Sequence, residues 1–246
     1  MMVRDDSMYV PYLELPRSQR RWLRLAVPAL LWGLCAVAAL VRLSFPPGGS
    51  GTWDTSNTLT QEGWLSLEPY AVLRTSSGEA FILLEAGKRQ LRSSASQLDK
   101  QYVHVEGYSI ARDNRHVLEL LPGEEGIAGI DAPTSAQTVN ETSHGMVQLQ
   151  GEIIDYKCYL GAMKPGGGLT HRGCAVLCIQ HGTPPALHTR DDSGDHYFIL
   201  TDTQDEAVES MVLPLVGEPV EVHGEVVERS GFMYMRVEKG SIHRLR

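Results

Sequence analysis

Two hydrophobic patterns divide this chain. Residues 25–41 carry no charge and are bracketed by Arg24 and Arg42. With Trp22-Leu23 before them and Leu43-Ser44-Phe45 after, they reach the ~20 residues that a spanning helix needs. Pro28 sits in the first turns, where a helix tolerates it. From residue 61 onward the pattern changes to short alternating runs rich in β-branched and aromatic residues, separated by Gly and charged turns, which predict strands. Val220 to Val227 and Phe232 to Val237 have the form of a hairpin around Glu228-Arg229-Ser230-Gly231.

The strand pattern occurs twice. Phe81-Ile82-Leu83, Val103-His104-Val105-Glu106-Gly107 and Arg112 recur as Phe198-Ile199-Leu200, Val220-Glu221-Val222-His223-Gly224 and Arg229, each pair offset by 117 residues. Repetition of this kind points to a duplicated structural unit. About five strands per copy suit a small barrel of the OB type; a generic β-sandwich fits the same periodicity. The expected fold is therefore mainly β: a transmembrane helix followed by two tandem small OB-like β-barrel modules. The boundaries expected are a tail over 1–21, the helix over 22–45, a linker over 46–60, a first module over 61–121, a linker over 122–144 and a second module over 145–246.

Charge changes the picture at the helix. Residues 1–49 are net +3 and the remainder is net −11, within a total of −8. Arg17, Arg20, Arg21 and Arg24 precede the apolar segment, so the positive-inside rule leaves the N-terminus in the cytoplasm and the β modules outside, in a bacterial periplasm. A cleaved signal peptide is the alternative, with Ala36-Val37-Ala38 before its cleavage site. An acidic exported part argues against nucleic acid as a partner. It leaves the inner membrane and another membrane or periplasmic protein as the expected partners.

The candidate chemistry lies where the two copies differ. In the first, Gly63-Trp64-Leu65-Ser66-Leu67-Glu68 runs directly into Pro69-Tyr70-Ala71-Val72-Leu73. In the second, Gly151-Glu152-Ile153-Ile154-Asp155 is separated from Pro185-Ala186-Leu187 by an insertion over 156–184. That insertion holds Cys158, Cys174 and Cys178, every cysteine of the exported part, together with His171 and His181. Function is often grafted as a loop on a repeated scaffold. His171 to Gln180 has the composition of a short helix. On it His171, Cys174, Cys178 and His181 form one stripe roughly 80° wide, which Cys158 could face.

Three chemistries fit. A disulfide would join Cys158 to Cys174 or Cys178 and be worth ~3 kcal/mol by loop closure. A Cys174–Cys178 bridge is disfavoured, since i,i+4 Cβ atoms lie ~5–6 Å apart on a helix. A metal site would use Cys158, His171, Cys174 and Cys178, a Cys₃His set suited above all to zinc, although C-x15-C-x3-C lacks the usual C-x2-C knuckle. A thiol–disulfide redox centre is the third, without the usual C-x-x-C. His181, His188 and His196 are candidate outer partners or alternative ligands. His104, His116, His223 and His243 read as surface or hydrogen-bonded groups. No nucleophile elbow, phosphate-cradling loop or H-E-x-x-H occurs, so the case for an enzyme is weak.

Gly151-Glu152-Ile153-Ile154-Asp155-Tyr156-Lys157-Cys158, then His171-Arg172-Gly173-Cys174 through Cys178, then Gly182-Thr183-Pro184-Pro185 resemble a group of uncharacterised bacterial exported OB-like domains. These share a strand, Asp-x-x-Cys, a His and a Cys-x3-Cys helix, followed by strands ending in a Val-x-Val-x-Gly hairpin. The resemblance covers roughly residues 145–245. It implies a small envelope β-barrel with a cysteine-bearing insertion and supplies no activity. The expected role is a membrane-anchored periplasmic accessory or binding protein, helper to or subunit of a membrane redox complex. A thiol-disulfide redox enzyme of the cell envelope and a purely structural interaction protein are the alternatives.

Overall fold

The computed structural model describes residues 17–44, 51–87, 91, 95–133 and 141–245. The chain divides into two compact units, residues 1–48 and 49–246. The first contains α1, Arg17–Ser44, five residues longer at its start than the apolar pattern alone. Its Gln19–Leu43 stretch is long and apolar enough to cross a membrane, as an anchor or as a signal sequence.

The second unit is mainly β. Its first half consists of β1 (Thr52–Ser66), β2 (Val72–Thr75), β3 (Ala80–Glu85), β4 (Tyr102–Arg112), β5 (Arg115–Leu120) and β6 (Ile127–Gly129). The sheet runs β1-β2-β3-β5-β4-β6, and pairing of β1 with β4 brings its first five strands into a ring. The second half consists of β7 (Glu141–Asp155), β8 (Pro185–Asp191), β9 (Gly194–Asp202), β10 (Pro219–Arg229) and β11 (Phe232–Arg244). It closes as a barrel in the order β10-β11-β9-β8-β7. Both rings share one cyclic order, antiparallel except where β3 meets β5 and β9 meets β11.

The 117-residue offset is carried into the register. Ile82 pairs with Val117 and Leu83 with Leu118; Ile199 pairs with Tyr234 and Leu200 with Met235. The hairpins agree as well: Gly107 faces Leu120 as Gly224 faces Val237. The second hairpin turns at Ser230-Gly231, both with positive φ (53° and 79°), as a two-residue turn matching strand twist requires. The strands also begin earlier than the pattern suggested. β1 occupies Thr52 to Thr60, within the expected 46–60 linker. β6 and the start of β7 fall inside the expected 122–144 linker, of which 134–140 lie outside the described residues.

Burial explains why Phe81-Ile82-Leu83-Leu84 is apolar without a break. Phe81 and Leu83 enter the interior of the first barrel with Leu65, Leu73, Val103 and Leu118. Ile82 and Leu84 turn outward into a second cluster that also holds Ile110, Val117, Ile154, Tyr156, Leu160, Tyr197 and Phe232. A strand covered on both faces has no polar side to present. The two barrels thus share a core, and the Tyr70 hydroxyl crosses it to donate to the Leu200 carbonyl at 3.1 Å. The interior of the second barrel is a third cluster, including Ile153, Leu187, Val222 and Met235.

The insertion emerges between β7 and β8, over 156–184. It forms a wide helical turn at Cys158–Ala162 and α2, Arg172–Gln180. The matching link in the first barrel is only Leu67 to Ala71. The turn packs on β1, β4 and β5 of the first barrel, and α2 packs on β7 of its own.

Candidate metal centre

The site begins where β7 ends. Asp155 is fully buried, and its Oδ1 accepts the Cys158 backbone N–H at 2.7 Å. This Asx-type bond gives the backbone an alternative to the sheet ladder and bends the chain into the turn. Gly166 returns against that turn so closely that a Cβ would stand 2.6 Å from the Cys158 carbonyl oxygen. The glycine is therefore required by close approach. Cys158 is held from both sides, buried, with its thiol toward α2.

Helix α2 supplies the other donors. Ala175 and Ile179 anchor it in the second barrel's core, and Arg172 pairs with Glu218 at its first turn. His171 precedes the helix as its N-cap residue. Cys174 and Cys178 lie three and seven residues on, so all three share a face at helical spacing. Cys178 is fully buried and His171 nearly so, whereas Cys174 is half-buried. The stripe expected on the helix is thus used by three of its four members. His181 is exposed, its Nδ1 2.6 Å from the Leu177 carbonyl oxygen.

The donor atoms converge. Those of Cys158, His171 and Cys174 lie within 4.8 Å of one another, and so do those of Asp155, Cys158 and Cys178. Cys158 belongs to both groups. The Cys158 and Cys178 sulfurs are 3.7 Å apart, and none of the four cysteines is in a disulfide. That separation is far beyond the ~2.05 Å of a disulfide, so the expected bridge is absent. It is the separation that metal ligands adopt: donors placed tetrahedrally at 2.0–2.3 Å stand about 3.3–3.8 Å apart. The cluster of Cys158, His171, Cys174 and Cys178 could hold a metal ion, and its thiol and imidazole donors fit a soft or borderline cation.

Asp155 braces the arrangement, a role the residue-type search did not assign. Its Oδ2 lies 3.0 Å from His171 Nε2. A ring whose Nε2–H donates to this carboxylate keeps Nδ1 for the cation, as in carboxylate–histidine–metal triads. Its only sequence signal was the Asp-x-x-Cys spacing. The adjoining Cys178 thiol, burial and the Asp155 carboxylate together push the Cys158 thiol well above the ordinary thiol range. Left to itself Cys158 resists holding a thiolate. A bound cation reverses that, because coordinating thiols are deprotonated outright.

The remaining histidines serve elsewhere. His188 lies 2.9 Å from Asp195 Oδ1 and 3.1 Å from the Tyr159 hydroxyl. His196 lies 3.0 Å from Asp191 Oδ1. Asp155→Asn keeps an acceptor for the Cys158 amide while removing the negative charge beside His171. Metal affinity is expected to fall ~10–100-fold, the usual cost of losing a group that orients a ligand. Competition with a chromophoric chelator measures it, and an unchanged affinity would remove Asp155 from the site.

Neither a protein-family model, nor a curated protein, nor a solved structure matches the chain.

Proposed function

We propose that this is a non-catalytic accessory protein of the bacterial cell envelope, built around a closed Cys₃His zinc centre. In this reading α1 anchors it in the inner membrane with the N-terminus cytoplasmic, and two tandem OB-like modules stand in the periplasm. The modules present the centre to another membrane or periplasmic protein, a membrane redox complex being the favoured class. The observation that carries the reading is the convergence of three thiols and a carboxylate-braced imidazole, with two sulfurs at tetrahedral-edge distance. A Cys₃His set that supplied all four donors to one zinc would make the site structural rather than catalytic. The identical cyclic strand order of the two rings supports the tandem OB-like assignment.

A thiol-disulfide redox enzyme is the second reading, favoured by the same 3.7 Å contact between Cys158 and Cys178 and by the partial exposure of Cys174. One measurement separates the two. The purified protein is expected to retain one equivalent of zinc by mass spectrometry, with its three clustered thiols reacting only after a chelator is added. Absence of metal, with reversible two-electron reduction of a disulfide, would replace this reading by the redox one.

A further inference from the structure

The turn that carries Cys158 has two faces, and they look toward different barrels. Cys158 meets α2 and the second barrel. Its neighbours in sequence also reach the first, Tyr159 while touching His188 and Tyr197 of the second. Lys157 is buried, and its Nζ pairs with Glu119 Oε1 of β5 at 3.0 Å. The Tyr159 ring lies under the Arg112 guanidinium of β4, 4.3 Å from its centroid. Leu160 is fully buried in the core that the two barrels share. A Cβ on Gly51 would collide with the Leu160 carbonyl oxygen, and one on Gly161 with the Thr52 backbone. Five consecutive residues, Lys157 to Gly161, therefore join the candidate centre to the first barrel without a spacer.

This junction is poorly satisfied by itself. Among the described residues, Glu119 Oε2 and Arg112 Nε are buried without a hydrogen-bond partner. A buried ion pair repays its desolvation only when the geometry is held well and the remaining polar atoms are satisfied. The junction thus depends on something else to hold the turn in place. The insertion's other fixed point is the cluster around Cys158, whose sulfur lies 3.7 Å from that of Cys178 on α2.

Resting on the metal-centre reading above, we infer that metal occupancy operates a clasp between the two barrels. A bound cation locks Cys158 to α2, and the locked turn seats Lys157, Tyr159 and Leu160 on the first barrel. Without the cation the turn loosens and the shared core opens, while each barrel keeps its own interior. The protein would thereby report metal availability as a change in the surface between its modules. Linkage makes the coupling reciprocal: whatever weakens the seat on the first barrel weakens metal binding by the same factor.

The full chain in detergent micelles, loaded with Zn²⁺ and then stripped by a chelator, tests this by hydroxyl-radical footprinting. Tyr70 is the reporter, because it belongs to the first barrel, is fully buried in the shared core and donates to Leu200 of the second. Its labelling is expected to rise at least ~5-fold on stripping, while Phe81 in the first barrel's interior is unchanged. Stoichiometric zinc binding with Tyr70 still protected after stripping would overturn the clasp and leave the metal centre standing. Failure to bind zinc would overturn both. Glu119→Gln, a change in the barrel that holds no ligand, is expected to lower zinc affinity about 10-fold. An unaltered affinity in that variant, with Phe81 still protected, would also overturn the clasp.

Discussion

Replacing Cys158 by serine is expected to abolish stoichiometric metal retention, whereas replacing Cys35 leaves it intact. Cys158 is the one donor common to both ligand groups, and its sulfur reaches from the turn to that of Cys178 on α2. A serine hydroxyl stays protonated where a thiolate is wanted, so the change removes a ligand rather than weakening one. The cost should exceed the ~10–100-fold typical of a supporting residue, and an affinity loss on the order of 10³-fold or more is expected. Cys35 lies on α1 and is exposed; it belongs to neither group. Metal content per chain, measured after dialysis against a weak chelator, decides the matter. Equal retention by Cys158→Ser and the parent would exclude the proposed ligand set. Because protons compete for thiolates and imidazole alike, the parent is also expected to release its metal as pH falls.

Leu160→Ala is expected to cost about 2–5 kcal/mol of folding stability, the range for emptying a fully buried leucine site. Leu160 is wholly inaccessible and sits among Ile110, Val117, Tyr156 and Tyr197. Its turn is fixed at both ends, so the surroundings have little freedom to collapse into the space. Because the leucine lies between barrels, the loss falls on the junction rather than on either interior. Urea unfolding of metal-loaded protein would show a lower midpoint, and a biphasic transition if the barrels separate before they unfold. A cost below about 1 kcal/mol would mean that the insertion merely covers the first barrel.

Much of the architecture was legible because its causes are local or periodic. The apolar segment at 25–41 requires a long helix in any apolar surrounding, and α1 contains it. The 117-residue repeat reappears in the pairing of Ile82 with Val117 and of Ile199 with Tyr234. Duplicated side-chain patterns impose duplicated registers, since slipping by one residue would turn each apolar face outward. The helix at Arg172–Gln180 and the shared face of His171, Cys174 and Cys178 followed from helical spacing alone.

What the chain could not announce is whatever depends on contacts between distant residues. Separate modules joined by a linker were the natural reading of the polar stretch at 122–144. The shared core instead required knowing that Ile82 and Leu84 face Ile154 and Phe232 across the junction. Lys157 and Glu119, 38 positions apart by their numbering, form a buried pair that no local pattern implies. Asp155 reads as an ordinary strand-end acid until His171 is folded onto it.

The sequence by itself determined the duplicated strand pattern, the apolar helix and the segment that holds the chemistry, because periodicity and composition are properties of neighbouring residues. Only the tertiary structure decided how the donors meet: it leaves no disulfide at bonding distance, with the Cys158 and Cys178 sulfurs 3.7 Å apart, and places a buried carboxylate behind His171. The same three cysteines permit either chemistry on paper. The distance between their sulfurs is set by how α2 packs on one barrel and the turn on the other.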